Sequence, residues 1–452
     1  MTDMPSLRAT SDPDTATAAL FIGIDIGSSG VRAVAIDDAG VQHGQAGVPM
    51  AAALTDGAAR RQDSSLWWNA VQQALTALLL QVPAHRVRGI AVDGTSGTVL
   101  VSDARGNALS SGWMYNDASC APEAAQIVRH APVESAAHGA SSPLARMLRL
   151  QREVPGGTHL LHQADWIAGQ LGNRFGWSDS NNALKLGYDP VREQWPTWMD
   201  ALAVRHDWLP RVRRPGTPMA RIAPAIAQRF GLVTEVQIVA GTTDGVAAFL
   251  ATGAREVGDA VTSLGTSLVV KVLSATPVFA PQFGIYSHRL GELWLPGGAS
   301  NSGGAALLAH FDLARMAALT PALRPEQPTG LDYYPLPAPG ERFPINDPAL
   351  CSRVTPRPPD DAQFFQGLLE GVAGIEQLAY QRIADLGAPY PQRVFTVGGG
   401  AKNTAWTRIR EQRLGAAMAL APHDDAAYGT ALLARNGALN VAATAPVLGA
   451  HP

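Results

Sequence analysis

Ile24-Asp25-Ile26-Gly27-Ser28-Ser29 and, far downstream, Thr262-Ser263-Leu264-Gly265-Thr266-Ser267 share one design. Each is an apolar strand that enters a Gly-Ser/Thr-Ser turn and leaves as a second apolar strand. Around the first, Ala19–Ile24 reads as the incoming strand, Asp25–Gly30 as the turn, Val31–Ile36 as the outgoing strand and Asp37–Gly40 as the next turn. Around the second, Ala260–Leu264 leads in and Leu268–Leu273 leads out. Strand, Gly/Ser turn, strand is the signature of a β-hairpin. Its recurrence predicts two related α/β halves.

Working outward, Ser64 and Ser65 read as a helix N-cap. Trp67, Trp68, Val71, Leu75, Leu78, Leu79 and Val82 follow at helical spacing. Val87–Val92 is a strand ending at Asp93-Gly94-Thr95-Ser96-Gly97, with Thr98–Ser102 as its expected hairpin partner. Gln163–Leu171 is a helix, and Trp195–Trp208 is a packed helical segment whose tryptophans belong to the core. Arg211–Pro224, with Pro215, Pro218 and Pro224, reads as a linker. Val236–Ala240 is a strand running into Gly241-Thr242-Thr243-Asp244-Gly245. Residues 321–362 are proline-rich without a clean period and read as an irregular surface excursion. Phe364 through Ile383 mark a long amphipathic helix that stops near Gly387. Val394–Val397 is a short buried strand before Gly398-Gly399-Gly400, Asn403 caps the next helix, and Ala426–Ala434 is a last small-residue helix.

At 452 residues the chain is long enough for two or three domains. Charged residues are 16%, against roughly 25% in an average soluble protein, and hydrophobic residues are 46%, so the chain can bury a sizeable core. A net charge of −3 leaves no basic excess to neutralise phosphates, which argues against a nucleic-acid binder. Two cysteines, Cys120 and Cys351, make neither a disulfide framework nor a metal pair, and a reducing cytoplasm fits. Residues 1–18 carry Asp3, Asp12 and Asp14 and lack the basic start of a signal peptide; a disordered leader is expected there, and a tail over 441–452. No run of about 18 uncharged apolar residues occurs, so no membrane span is expected.

No G-x-x-x-x-G-K-[ST] segment exists, and Gly23, Gly27 and Gly30 do not have the dinucleotide-fingerprint spacing. An aspartate beside a Gly-Ser-Ser turn makes chemical sense when a divalent cation sits between carboxylate and phosphate. Backbone N–H groups and hydroxyls then hold phosphate oxygens, and the carboxylate reaches Mg²⁺, usually through its waters. Two such hairpins would grip phosphates from both sides of a cleft; equally, Asp25 and Ser28 are residue types that cap ordinary turns. His159, His162 and Asp165 have metal-ligand chemistry without a second cluster to complete a site.

Taken in order, the motifs resemble those of the FGGY carbohydrate kinases, members of the sugar kinase/Hsp70/actin superfamily, over about residues 19–440. Ile24–Ser29 is similar to the first phosphate motif and Gln62-Asp63 with Trp67-Trp68 to the family's QDP…WW stretch. Trp113 with Asn116-Asp117 is similar to its substrate-side W-N-D element, and Gly241–Asp244 to the turn bearing its catalytic base. Ser263–Ser267 is similar to the second phosphate motif and Gly398–Asn403 to the adenosine motif. The resemblance implies two actin-like, RNase H-like α/β domains with a central cleft, residues 19–238 binding sugar and 239–440 binding ATP. It implies Asp244 as catalytic base, and Asp25, Asp93, Thr95, Ser96, Asn116, Asp117 and Asp244 as sugar contacts. It implies Gly27, Ser28, Ser29, Gly265, Thr266, Ser267, Gly399, Gly400, Asn403 and Trp406 as nucleotide contacts, and Asp25 and Asp244 for Mg²⁺. Gly297-Gly298-Ala299 with Ser302-Gly303-Gly304 either forms the other adenine wall or allows close helix packing.

Within the family, Val92–Leu100, Trp113–Asp117 and Gly398–Arg410 look most like the short D-ribulose kinases, relatives of xylulokinase. The expected reaction is ATP-dependent phosphorylation of D-ribulose to D-ribulose 5-phosphate, by a monomer or homodimer. Ser119 stands where family members often carry arginine, which bears on the sugar preference. Other FGGY activities, on D-xylulose, L-ribulose or a polyol, are the near alternative. An actin- or Hsp70-like partner-coupled ATPase is the far one.

Overall fold

The computed structural model describes residues 18–444. The expected leader lies outside them except for Ala18, and so does the expected tail beyond Thr444. Residues 441–444 continue the last helix instead.

Leu20–Ile26 (β1), Gly30–Asp37 (β2) and Gln42–Pro49 (β3) form an antiparallel meander. All of β1 is buried because it is covered on both faces. Leu20, Ile22, Ile24 and Ile26 point into one core cluster and Phe21 into another, the period-two alternation of a strand. Asp25 belongs to β1, so the turn is only Gly27-Ser28-Ser29, shorter than the sequence implied. Leu54–Asp56 (β4) and Ala59–Gln62 (β5) precede the helix Ser64–Leu79 (α1). Its N-cap is Asp63, whose carboxylate accepts from Ser65 N; Ser64 is already helical. Val87–Gly94 (β6) then runs parallel to β1.

Val99–Ser102 (β7) is not the hairpin partner of β6. It pairs with Gly112–Trp113 (β8) and His159–His162 (β9) in a separate sheet, because the chain turns away at Gly97, whose φ is +99°. Helices Ala121–Val128 (α2), Pro143–Glu153 (α3) and Gln163–Gly172 (α4), the strand Trp177–Asp179 (β10) and the short helix Ser180–Leu184 (α5) complete this region. Trp195–Trp208 folds as two 3-10 turns with Pro196 at the start, not one helix; Trp208 is fully buried, as expected of a core residue. The supposed linker is structured. Arg211–Arg213 (β11) pairs with β10, and Pro218–Arg221 (β12) is an edge strand, where proline's missing N–H costs nothing. After Pro224–Phe230 (α6), Gln237–Thr243 (β13) pairs with β6 and runs into Asp244–Ala251 (α7). A domain boundary at residue 238 would cut β13, a strand of the first sheet.

The second lobe repeats the first. Asp259–Leu264 (β14) and Leu268–Val272 (β15) are the second hairpin. Tyr286–Leu290 (β16) and Leu293–Ser300 (β17) extend it, followed by Gly304–Leu308 (α8) and Leu313–Leu319 (α9). Residues 323–360 hold no helix or strand, but they are not merely surface: Tyr333, Tyr334, Leu336 and Phe343 are buried in the core. Asp361–Asp385 (α10), Arg393–Val397 (β18), Thr404–Leu414 (α11), Ala417–Leu420 (β19) and Ala426–Thr444 (α12) finish the chain. The sheets run β12-β13-β6-β1-β2-β3 and β16-β17-β15-β14-β18-β19. In both, two antiparallel neighbours flank one side of a central strand and two parallel ones the other. That duplication is the expected pair of actin-like α/β domains. α12 returns to pack on β1, β6 and β13, close enough that a Cβ on Gly23 would lie 2.0 Å from the Ala427 carbonyl oxygen.

Candidate active site

Chemistry gathers at the carboxyl ends of the first sheet's parallel strands, the usual location in open α/β sheets. Asp25 on β1 stands in register with Asp93 on β6, and Asp93 with Thr242 on β13; Thr243 is the N-cap of α7 and Asp244 its first residue. Asp25 Oδ2 accepts from Arg32 Nη2 at 2.5 Å and Nε at 3.0 Å. Asp93 is fully buried; its Oδ2 accepts from the Thr430 hydroxyl of α12, and its Oδ1 has no hydrogen-bond partner among the described residues. Burial, and then the neighbouring Asp25 charge, raise the Asp93 carboxyl well above its usual range. Asp244 accepts from Gly245 N at 2.6 Å, and burial followed by Asp25 raises its pKa as well, against the pull of that N–H, Lys271 and Lys185. Folding thus brings three carboxylates together, and the Asp25 charge disfavours the ionisation of both Asp93 and Asp244.

Asp244 lines a cavity of about 340 Å³ together with Ser96, Tyr115, Lys185, Lys271, Tyr286, His288 and Arg342. Ser96 is where a sugar contact was expected. Thr95 is not: its hydroxyl is taken up by Thr98 at 2.6 Å and Gln163 at 2.9 Å. Asp117 is also internal, fully buried, ion-paired with Arg61 and accepting from the Ser119 hydroxyl at 2.7 Å. Asn116 is exposed and lines none of this cavity. The W-N-D element therefore reaches the cavity through Tyr115 alone. Lys185, Lys271, His288 and Arg342 went unread in the sequence. Lys271 left one trace, a charged residue alternating with buried ones in Leu268–Val272.

The two hairpin turns point their small polar residues outward: Ser28, Ser29 and Thr266 are exposed. Gln62 of the Gln-Asp motif fixes the first turn, donating to Ser28 O at 3.2 Å and Ala51 O at 2.7 Å while accepting from Trp67 Nε1 at 2.7 Å. The second turn is held by α8, whose Gly304 N and Ala305 N donate to Gly265 O and Thr266 O at 2.8 and 3.0 Å. Gly265 and Thr266 open onto a second cavity of about 600 Å³, with Gly304, Gly399, Gly400, Asn403 and Trp406 among its walls. A Cβ on Gly399 would meet nothing within 4 Å, so the backbone there is bare to the cavity. Asn403 caps α11 through Trp406 N at 3.0 Å, as anticipated. Trp406 is 3% exposed and lies under Gly400, with its indole N–H on Leu369 O, so it forms floor more than an open stacking face. The small-residue cluster divides: Gly297, Gly298 and Ala299 line the Asp244 cavity, Gly304 the other. His162 of the imidazole pair bonds Asp165 at 2.9 Å.

The model of the FGGY carbohydrate kinase N-terminal domain matches residues 20–251, and that of the C-terminal domain residues 260–437. The chain belongs to the FGGY family of carbohydrate kinases. It is a sugar kinase, and the family's division falls after α7, where sheet membership also places it. Among curated relatives, a xylulose kinase of Escherichia coli (strain K12) is 24% identical over 414 residues, spanning 86% of this chain and 84% of its own length. A xylulose kinase of Streptomyces coelicolor is 26% identical over 420 residues, spanning 86% and 81%. Among solved structures, a kinase from Brucella ovis titled "xyloylose kinase" superposes with a TM-score of 0.85 at 22% identity, over 93% of this chain and 91% of that one. A gluconate kinase from Lactobacillus acidophilus gives 0.83 at 16%, over 94% and 90%. At these identities the structures establish the two-domain fold. Among the described residues no helix is long and apolar enough to cross a membrane.

Proposed function

We propose that this kinase transfers the γ-phosphoryl group of ATP to the terminal hydroxyl of a ketopentose, D-ribulose giving D-ribulose 5-phosphate. One observation carries the transfer geometry: a single hairpin borders both cavities. Its turn, Gly265 and Thr266, lines the larger one, and its outgoing strand, through Val269 and Lys271, lines the one holding Asp244. A nucleotide in the larger cavity therefore directs its phosphates toward an acceptor in the smaller one, beside Asp244.

Asp244 takes the proton of the sugar hydroxyl, since an alcohol is a weak nucleophile until its proton has a destination. The sugar oxygen bonds to the γ-phosphorus as the bond to the β,γ-bridging oxygen breaks, leaving its electron pair on ADP. Ser96 orients the sugar from the first lobe, whereas Asp25, paired with Arg32, lines neither cavity. Closure of the lobes excludes water and limits futile hydrolysis. Asp25 and Asp244 are the residues that would offer hard oxygens to Mg²⁺, through its waters, since among the described residues no group of three or more His, Cys, Asp or Glu is placed to hold a metal ion directly. Mg²⁺ held there would neutralise phosphate charge.

The D-ribulose reading is supported by Val92–Leu100, Trp113–Asp117 and Gly398–Arg410. The xylulose kinase names of the relatives favour D-xylulose as the second reading. ADP release from Mg·ATP with D-ribulose, D-xylulose, L-ribulose, glycerol and ribitol tests both. The highest kcat/KM should come with D-ribulose; a clear preference for D-xylulose replaces that substrate and keeps the mechanism. Turnover without any sugar would instead favour a partner-coupled ATPase.

A further inference from the structure

The second-lobe wall of the Asp244 cavity carries positive charge to which the transfer as described gives no task. On β15, Leu268, Val270 and Val272 are buried in the core, so alternation turns Val269 and Lys271 toward the cavity. Lys271 stands opposite Gly297 of β17, where a Cβ would lie 2.8 Å from Lys271 Cγ. The glycine gives the lysine stem its bed. Lys271 Nζ donates to the Gly245 carbonyl at 2.7 Å, next in chain to Asp244. An ammonium has three protons to donate. One is used, and among the described residues Lys271 takes part in no ion pair.

The groups facing it across the cavity are Asp244, Lys185 after α5, Tyr286 and His288 on β16, Arg342 of the excursion and Tyr115. Burial, together with Lys271 and Lys185, lowers the His288 pKa well below its ordinary value. Lys185, Lys271 and Arg342 thus oppose one carboxylate, an arrangement that receives an anion better than a neutral sugar.

We propose that Lys271 is a further catalytic residue, whose ammonium binds the oxygens of the phosphoryl group in flight and then the phosphate of the sugar phosphate product. The inference rests on the kinase reading above. During transfer the new bond joins the sugar oxygen to phosphorus, the leaving pair stays on ADP, the hydroxyl proton passes to Asp244, and Lys271 keeps its own protons. A fixed cation aimed where charge builds in transfer acts chiefly on the transition state.

Lys271→Met keeps the stem on Gly297 and removes the charge; Lys271→Arg keeps the charge. Steady-state kinetics on the preferred sugar, with inhibition by its 5-phosphate, read out the role. Lys271→Met should lower kcat by about 100-fold, the scale for losing one donor to developing charge, with sugar KM changed less than about threefold. The inhibition constant of the sugar phosphate should rise at least tenfold, and Lys271→Arg should recover part of kcat. A raised sugar KM with kcat intact would make Lys271 a ground-state sugar contact and overturn the proposal. Unchanged kinetics, or a kcat loss matched by a lowered Tm without recovery in the arginine variant, would overturn it too. Absence of turnover by the wild-type protein on every sugar overturns the kinase reading and this inference together; failure confined to the variants overturns only the latter.

Discussion

Replacing Asp244 with asparagine should move activity and stability in opposite directions. The asparagine has nearly the same shape, and its Oδ1 can still accept from Gly245 N, now 2.6 Å from the carboxylate. It cannot accept the sugar's proton. A positioned base contributes about 10²–10⁴-fold, or roughly 2.7–5.4 kcal/mol of barrier, so kcat should fall by that factor. The KM for ATP should hold, because Asp244 is not among the walls of the cavity proposed for the nucleotide. Stability responds to a different term. Burial and then Asp25 raise the Asp244 pKa in the folded protein, so its ionised form is disfavoured there relative to the unfolded chain. The stabilising contribution of such a group is complete below the unfolded value of about 3.9 and is lost as pH rises through the folded value. Metal-free Asp244→Asn should therefore melt above wild type at pH 7, with the gap closing toward pH 4. Thermal unfolding at several pH values and a coupled ADP assay check both halves. A variant retaining more than a tenth of wild-type kcat, or one that melts below wild type at pH 7, would refute the reasoning.

Gly399→Leu should raise the KM for ATP at least tenfold, about 1.4 kcal/mol, with little change in Tm, because a Cβ at this cavity wall meets no protein atom within 4 Å. Glu376→Ala should cost about 3–5 kcal/mol in denaturant unfolding. It leaves buried Arg410 without the carboxylate it now holds at 2.7 Å, and removes one of the two partners of the Thr262 hydroxyl, which keeps Tyr380 at 2.8 Å. Burial tends to raise the Asp259 pKa, but Arg393 and the N–H groups of Arg255 and Glu256 outweigh it and hold the carboxyl low. That contribution is present above the unfolded value and lost as pH falls through the folded one, so melting curves of wild type and Arg393→Met should converge below about pH 4.

Local pattern carried much of the site. The hairpins at Ser28 and Thr266, the aspartate beginning α7, the glycines after β18 and the cap at Asn403 are all written in consecutive residues. Turn chemistry and strand alternation act over a few residues, so they are legible there. What failed was pairing. Val99–Ser102 looked like the partner of the strand before it, yet its backbone groups bond strands β8 and β9. Proline-bearing Arg211–Pro224 looked unpaired, yet β12 uses the sheet edge that tolerates proline. The excursion looked exposed, yet Phe343 fills the space left by Gly298, where a Cβ would stand 2.4 Å away.

The same division holds for function. By itself the sequence determined the family and the two-lobed α/β plan, and it singled out Asp244 as the proposed base, because each rests on a short motif whose chemistry is local. Tertiary structure alone decided which polar residues face the cavity. It turned Thr95 and Asp117 inward to Gln163 and Arg61, and brought Lys185, Lys271, His288 and Arg342 from separate segments to one cavity. A side chain's partners are set by which distant strands become neighbours, and no window along the chain contains that information.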